Sequence, residues 1–376
     1  MVSGLHRPTK LVIDRQAIKA NIQQEMQTLP QTTELWAVVK ANGYGHGMVE
    51  VAATAKGAGA TGFCVAILDE ALALRQAGFT EPILVLGITS PTYAKVAAAA
   101  HISLTVGSQE WLAAALPILQ SGSLTTKLSV HFAVDSGMGR IGFRDAAGLQ
   151  AADTFLQQHV EFELEGLFTH FATADEKDTT YFKQQVAKFQ QMRQALANEP
   201  RYVHVSNSAT SLWHAACNGN MVRFGVALYG LNPSGTALSA PYPLQPALTF
   251  ESELVFVKQI QAGDAVSYGA TYHAKQAEWV GTLPVGYADG WQRRLQGFHV
   301  LINGQYCEII GRVCMDQMMV RLPAQLPVGT KATLVGENGG QMISLQDVAD
   351  YAHTIHYEIA CNLTDRVPRT YLPEKS

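Results

Sequence analysis

Residues 34–47 read Glu34-Leu-Trp-Ala-Val-Val39-Lys40-Ala-Asn-Gly43-Tyr44-Gly45-His46-Gly47, a short apolar run followed at once by a lysine and a glycine-rich turn. This stretch decides between two α/β architectures. A doubly wound sheet usually carries G-x-G-x-x-G after its first strand. Gly43, Gly45 and Gly47 are spaced as G-x-G-x-G and do not fit that fingerprint.

Working outward, similar β-rich runs recur at 62–65, 82–86, 102–106, 127–134, 163–168, 202–205 and 222–224. Between them lie helix-like stretches at 48–56, 69–77, 91–99, 108–119, 146–158, 179–197 and 207–214. Ser108 and Asn207 stand where N-caps belong, and Glu110 places negative charge in a first turn. Strands alternating with helices in this way predict a TIM-like (β/α)8 barrel. After about Pro246 the texture becomes mainly β, with runs at 249–260, 277–284, 299–310 and 318–322 and a single helix-like stretch at 344–352. Asn303-Gly304 supplies the positive φ angles of a type I′ hairpin turn, and residues 336–340 form another turn. The expected organisation is therefore α/β: a barrel over 1–245, whose first strand near 11–13 packs with the C-terminal domain, and a mainly β domain over 246–376.

Composition narrows the class. The 376 residues are 47% hydrophobic and 15% charged, with a net charge of −4. No basic excess points to nucleic acid. The longest apolar stretch, 112–119, contains Pro117 and is far short of the ~20 residues a membrane span needs. The first ten residues lead into no apolar segment, so no secretory signal is expected. Five widely spaced cysteines without a CxxC pair indicate a reducing, cytoplasmic compartment and no structural zinc. HExxH, GxSxG and Walker A patterns are absent, and no metal site is expected.

Five clusters can carry chemistry. Lys40 ends a β run, so its ammonium falls at the C-terminal mouth of a barrel strand. A lysine there can form a Schiff base when burial and neighbouring cations lower its pKa. An isolated one more often reaches out to solvent. Residues 134–142, with three glycines around Arg140, form either a shaped loop delivering a guanidinium to an anion or a surface turn. His170 ends another strand, where a histidine is more often structural. His204 to Ser208 follow the seventh strand and Arg223 to Val226 the eighth, the slots in which barrels frequently bind phosphate. Ser208 and the amides of Gly225 and Val226 suit that role. In the last third, Tyr268 beside Gly269, and Cys314 with Met315, read equally well as packed turns and core.

Taken together, these segments resemble the alanine racemase family of fold-type III pyridoxal-phosphate enzymes, over residues 11–371. The carrying motifs are AVVKANGYGHG at 37–47, DSGMGRIG at 135–142, THFA at 169–172, SNSA at 206–209, SYG at 267–269, GYADG at 286–290 and GRVCMDQ at 311–317. Gly43 stands where the family more usually has alanine. The resemblance implies a homodimer with shared active sites that interconverts L- and D-alanine, supplying D-alanine for bacterial peptidoglycan. It implies that Lys40 holds pyridoxal 5'-phosphate covalently and serves as base for the D-enantiomer, with Tyr268 from the partner subunit serving the L-enantiomer. Arg140 would contact the cofactor's phenolic oxygen and the substrate carboxylate, which the Met315 backbone also touches. Tyr44, Ser208, Gly225, Val226 and Tyr357 would bind the phosphate, and His170 would lie against the ring. Arg223 would face the pyridine nitrogen, connected to His204, and Tyr287 would line the entryway. The family often carries a carbamylated lysine where this chain has Ala133, so Arg140 must be oriented differently, a bound anion being one way.

Two bases flanking one carbon are what racemisation requires. An arginine at the pyridine nitrogen disfavours its protonation, weakens the electron sink and limits side reactions. A basic amino-acid decarboxylase of the same architecture should place a carboxylate there instead. A broader amino-acid or serine racemase stays open on these residues. A non-catalytic pyridoxal-phosphate carrier would not need a β domain bearing Tyr268 and Met315.

Overall fold

The eight apolar runs of the first two-thirds become strands that are mostly buried. A strand buried on both faces needs no polar alternation, which is why these runs are nearly continuous in Val, Leu, Ile and Phe. In the computed structural model, which describes residues 2–121 and 126–373, they are Glu34–Val38, Gly62–Val65, Ile83–Ile88, Ser103–Val106, Leu128–Val134, Phe162–Thr169, Tyr202–His204 and Met221–Phe224. The first seven pair in parallel with their sequence neighbours, and the eighth pairs with the first through Glu34↔Met221 to Ala37↔Phe224. A parallel bridge between Ser206 and Val222 completes the ring. The barrel expected from the sequence is thus present.

Helices follow the strands: Met48–Ala58, Leu68–Gln76, Ala94–Ala99, Gln109–Gln120, Ala146–Gln157, Thr180–Arg193 and Ser208–Trp213. Ser108 and Asn207 cap theirs as expected, accepting from Trp111 N–H at 3.3 Å and Thr210 N–H at 2.9 Å. After the eighth strand there is a 3₁₀ turn, Val226–Tyr229, rather than an α-helix. A further helix, Arg15–Thr28, was not anticipated, because its polar composition weakens the apolar period. It buries Ile18 and Ile22, and Asn21 donates to Leu228 O at 3.1 Å and Gln245 O at 2.9 Å, fastening it to the end of the barrel segment.

The chain divides into two units. The barrel unit is Ala17–Gly43 with Met48–Gln245; the other holds the described residues up to Gln16, Tyr44–Gly47 and those from Pro246 on. The second unit is built on a ten-stranded sheet. Its central strands, Lys331–Asn338, Leu248–Glu253 and Lys10–Asp14, pair antiparallel, and Lys10–Asp14 pairs in parallel with Arg369–Leu372. The hairpin His299–Ile302/Gln305–Ile310 turns on Asn303 (φ 49°) and Gly304 (φ 76°), as that dipeptide predicts. The run at 249–260 is not one strand. It breaks after Glu253, and Phe256–Ile260 pairs at the far edge with Glu278–Leu283. Residues 336–338 continue a strand, so that turn is shorter than expected, and a second helix, His356–Cys361, follows Leu345–Tyr351.

Asp289 anchors this unit. It is fully buried, accepts both Arg7 Nη groups and the Gly286 N–H, and lies 3.6 Å from Arg366 Nε. Removing one partner of a buried ion pair leaves an uncompensated charge. Asp289→Ala is therefore expected to destabilise the protein by about 3–5 kcal/mol, read as a lowered denaturant midpoint. An unchanged midpoint would refute the anchoring role.

Candidate active site

Parallel strands in a closed barrel all end on the same side, so residues that follow them share one mouth. Lys40, the 135–142 loop, His170, Ser206–Ser208 and Gly225–Val226 each follow such a strand. The charged members act on the same buried groups. His170 sits well below the ordinary histidine range because burial disfavours its charge and because Arg223, Arg140 and Lys40 repel it. Burial pushes the Cys64 thiol up to about 12, against the pull of Arg223 and Lys40. Three cations thus surround one neutral histidine, and no carboxylate is among the charged groups acting on it.

Lys40 is presented by an unusual turn. Ala41, Asn42, Gly43 and Tyr44 have φ of 53°, 52°, 61° and 50°, one turn of left-handed helix. For non-glycine residues this geometry costs roughly 1–2 kcal/mol each. Local hydrogen bonds offset it: Gly43 N–H donates to Val39 O at 2.8 Å, and Asn42 Oδ1 accepts from Met48 N–H at 2.9 Å. Glu70, on the first turn of helix Leu68–Gln76, clamps it from outside. Its Oε1 accepts from Ala41 N–H at 2.7 Å, while Oε2 accepts from Ala66 N–H at 2.8 Å and Ile67 N–H at 3.3 Å.

The arginine loop is held by the barrel itself. Asp135 Oδ1 accepts from Gly137 N–H and Gly139 N–H at 3.1 and 2.9 Å. Two residues of helix Thr180–Arg193 reach over: Lys188 Nζ donates to Asp135 O at 2.9 Å and Tyr181 to Gly137 O at 2.7 Å. These contacts fix the loop bearing Arg140 beside Ala133. Arg223 is 3% exposed and donates to His204 Nδ1 at 2.7 Å, His204 O at 3.0 Å and Thr169 O at 2.9 Å. Burial lowers it to about 10, so it stays protonated at neutral pH. Ser208 Oγ accepts from Gly225 N–H at 2.9 Å, bringing the two phosphate-candidate segments together. Asn207 Nδ2 donates to His170 Nε2 at 3.3 Å.

The remaining candidates lie in the second unit and form two groups. Tyr44 and Tyr357 pack with ring centroids 6.2 Å apart. Tyr268, Met315 and Tyr287 belong to loops linked by Ser267 Oγ to Arg312 O at 2.6 Å, Tyr287 N–H to Cys314 O at 3.0 Å and Ala288 N–H to Met315 O at 3.0 Å. All three side chains are exposed, Tyr268 by 69%. Sequence reading missed Glu70, His131 and Glu165. Glu70 is in sequence a first-turn acid like many others, whereas His131 and Glu165 are ionisable residues inside barrel strands, a signal that could have found them.

A parallel barrel with a lysine, two arginines and a neutral histidine at its C-terminal mouth defines a barrel enzyme suited to a small anionic ligand. Among the described residues no cluster could hold a metal ion. Residues 13–233 match the N-terminal domain of alanine racemase and residues 247–371 its C-terminal domain. The alanine racemase of Lactiplantibacillus plantarum is 64% identical over 99% of this chain and 100% of its own. The crystal structure of alanine racemase from E. faecalis superposes with a TM-score of 0.97 at 56% identity, covering 99% of this chain and 100% of that one. The enzyme from Bacillus anthracis with bound L-Ala-P does so at 0.95 and 44%, over 98% and 96%. The chain is an enzyme of the alanine racemase family.

Because Glu70 carries three backbone N–H groups, Glu70→Ala is expected to loosen the turn that aims Lys40. A misplacement of ~1 Å at a catalytic group costs about a hundredfold in rate. The variant should lose between about tenfold and a hundredfold in kcat with its circular dichroism unchanged. A wild-type kcat would rule the clamp out.

Proposed function

We propose that this protein interconverts L- and D-alanine with pyridoxal 5'-phosphate, in a homodimer whose active sites are shared. The observation that carries the reading is the cluster of Lys40, Arg140 and Arg223 around a neutral His170. The donor set fits the cofactor: an amine to bond the aldehyde, cations for phenolate and carboxylate, and a hydroxyl with backbone amides for phosphate. When bound, the cofactor supplies the electron sink that acidifies the substrate's α-carbon.

In this reading the barrel, residues 1–245 with the N-terminal strand in the β domain, binds the cofactor, and residues 246–376 contribute to the partner's site. Lys40 would hold the cofactor through its aldehyde and, once displaced there by the substrate's amine, its freed amine would move the α-proton on one face; the partner subunit's Tyr268 would move it on the other. Arg140 takes the substrate carboxylate, together with the backbone at the partner subunit's Met315. Tyr44, Ser208, Gly225, Val226 and Tyr357 bind the phosphate, and His170 lies against the ring. Arg223, protonated and buried, faces the ring nitrogen and keeps it unprotonated, with His204 behind it. Tyr287 narrows the entryway.

Sharing is supported by Tyr268, Met315 and Tyr287, aromatic and apolar side chains left in water by a single chain yet carried on loops tied together by the Ser267 side chain and by backbone hydrogen bonds. No helix among the described residues is long and apolar enough to cross a membrane, and Cys64, Cys217, Cys307 and Cys314 are free thiols. Both suit a cytoplasmic enzyme supplying D-alanine for peptidoglycan.

Incubated in deuterated water with a panel of L- and D-amino acids, the enzyme should exchange the α-proton of both alanines fastest. Failure to exchange either would sink the proposal, and faster exchange of another amino acid would reassign the substrate. Lys40→Ala should abolish both cofactor absorbance and exchange. Tyr268→Ala should impair exchange from L-alanine far more than from D-alanine; equal losses would contradict two separate bases. Mixing the two inactive variants under subunit exchange should restore activity, and no recovery would count against shared sites.

A further inference from the structure

Behind Arg223 the barrel interior contains a chain of titratable groups that the proposed proton transfers do not use. His204 Nε2 lies 2.8 Å from His131 Nδ1, and His131 Nε2 lies 3.0 Å from Glu165 Oε2. Ser103 Oγ donates to the same carboxylate oxygen. His131 and His204 have no exposed surface. They stack on Tyr202 and Phe168, with interplanar angles of 21° and 11°.

The backbone is shaped for this contact. Strands Leu128–Val134 and Phe162–Thr169 pair Val130 with Leu164 and then His131 with Gly166, so Glu165 is the extra residue of a β-bulge. Bulges re-aim side chains. A Cβ at residue 166 would stand 2.3 Å from His131 Nδ1, so only glycine admits the imidazole there.

The protons in this chain can run only one way. A guanidinium has no acceptor. His204 must therefore offer a bare Nδ1 to Arg223, which puts its proton on Nε2, aimed at His131 Nδ1. His131 must then carry its own proton on Nε2, aimed at the carboxylate. Burial and the Arg223 charge hold His204 well below the ordinary histidine range, so its ring is neutral. Burial opposes the Glu165 charge, yet hydrogen bonds from His131 and Ser103 bring its carboxyl below the usual range. An ionised carboxylate can only accept, so it sets the direction of the whole chain.

We infer that Glu165 is a positioning residue that, through the bulge-seated His131 and His204, fixes the imidazole tautomers and thereby holds the Arg223 guanidinium in place at the barrel mouth. The inference rests on the proposed role of Arg223 toward the cofactor ring. Without an acceptor at 165, His131 is free to protonate Nδ1. That proton would oppose the one on His204 Nε2, and His204 would have to turn its own proton toward Arg223.

The test is imidazole ¹⁵N NMR on the full-length, cofactor-loaded enzyme at neutral pH, with the His131 and His204 signals assigned by substitution. Wild type should show both rings neutral and protonated at Nε2; any other pattern overturns the inference without needing a variant. Glu165→Gln keeps an acceptor oxygen and should preserve the tautomers, with kcat within about threefold. Glu165→Leu removes the acceptor and should lose the pattern, shift the absorbance maximum of the bound cofactor, and lower kcat about tenfold or more with KM little changed. The inference is overturned if Glu165→Leu keeps the tautomers or matches Glu165→Gln in kcat, and equally if Glu165→Gln loses them. The NMR readout is independent of racemisation, so failure of the alanine assay alone would overturn the function and not the relay.

Discussion

A guanidinium buried to 3% exposure has to be satisfied by the protein, because water does not reach it. Arg223 meets that demand with the carbonyls of Thr169 and His204 and with His204 Nδ1, groups at the ends of two other barrel strands. The ion therefore ties the sixth, seventh and eighth strands together at their C-terminal ends. It also sets the electrostatic character of the mouth, where burial first, and then the charges of Arg223, Arg140 and Lys40, keep His170 neutral. The arrangement is unfavourable for the empty protein and favourable for an anionic guest, which is how binding energy is stored in a preorganised site.

The lysine is held by the opposite strategy. Where Arg223 is immobilised by burial, Lys40 is aimed by backbone strain: a left-handed turn that carries two non-glycine residues, Ala41 and Asn42, in the barrel unit. Such strain persists only where neighbours over-determine it. Here the determinants are Asn42's own side chain and the Glu70 carboxylate, which binds the turn and its own helix start with one group. The Arg140 loop is supported from a third direction, by Tyr181 and Lys188 on the following helix. Scaffold elements unrelated in sequence thus each contribute a clamp.

Much of this was legible in the chain. The eight parallel strands follow from apolar runs too continuous for half-exposed sheets, and the hairpin from Asn303-Gly304. The polar residues of the barrel mouth were visible because each breaks the apolar pattern at a strand end. The helix Arg15–Thr28 was not, since two of the five residues on its buried face, Asn21 and Glu25, are polar. Nor was the split at Glu253, because an apolar run does not record a change of strand partner.

The sequence by itself determined the barrel, the following β domain and the set of groups at the mouth, because hydrophobic periodicity and punctuation by Gly, Asn and Ser are local properties. Only the tertiary structure decided which way those groups are held. Glu70 lies 29 residues from the turn it clamps, and Glu165 reaches Arg223 through two histidines contributed by other strands. Hydrogen bonds of that kind depend on register, a bulge and the closeness permitted by one glycine. Those are set by how strands meet and not by any residue's own preference.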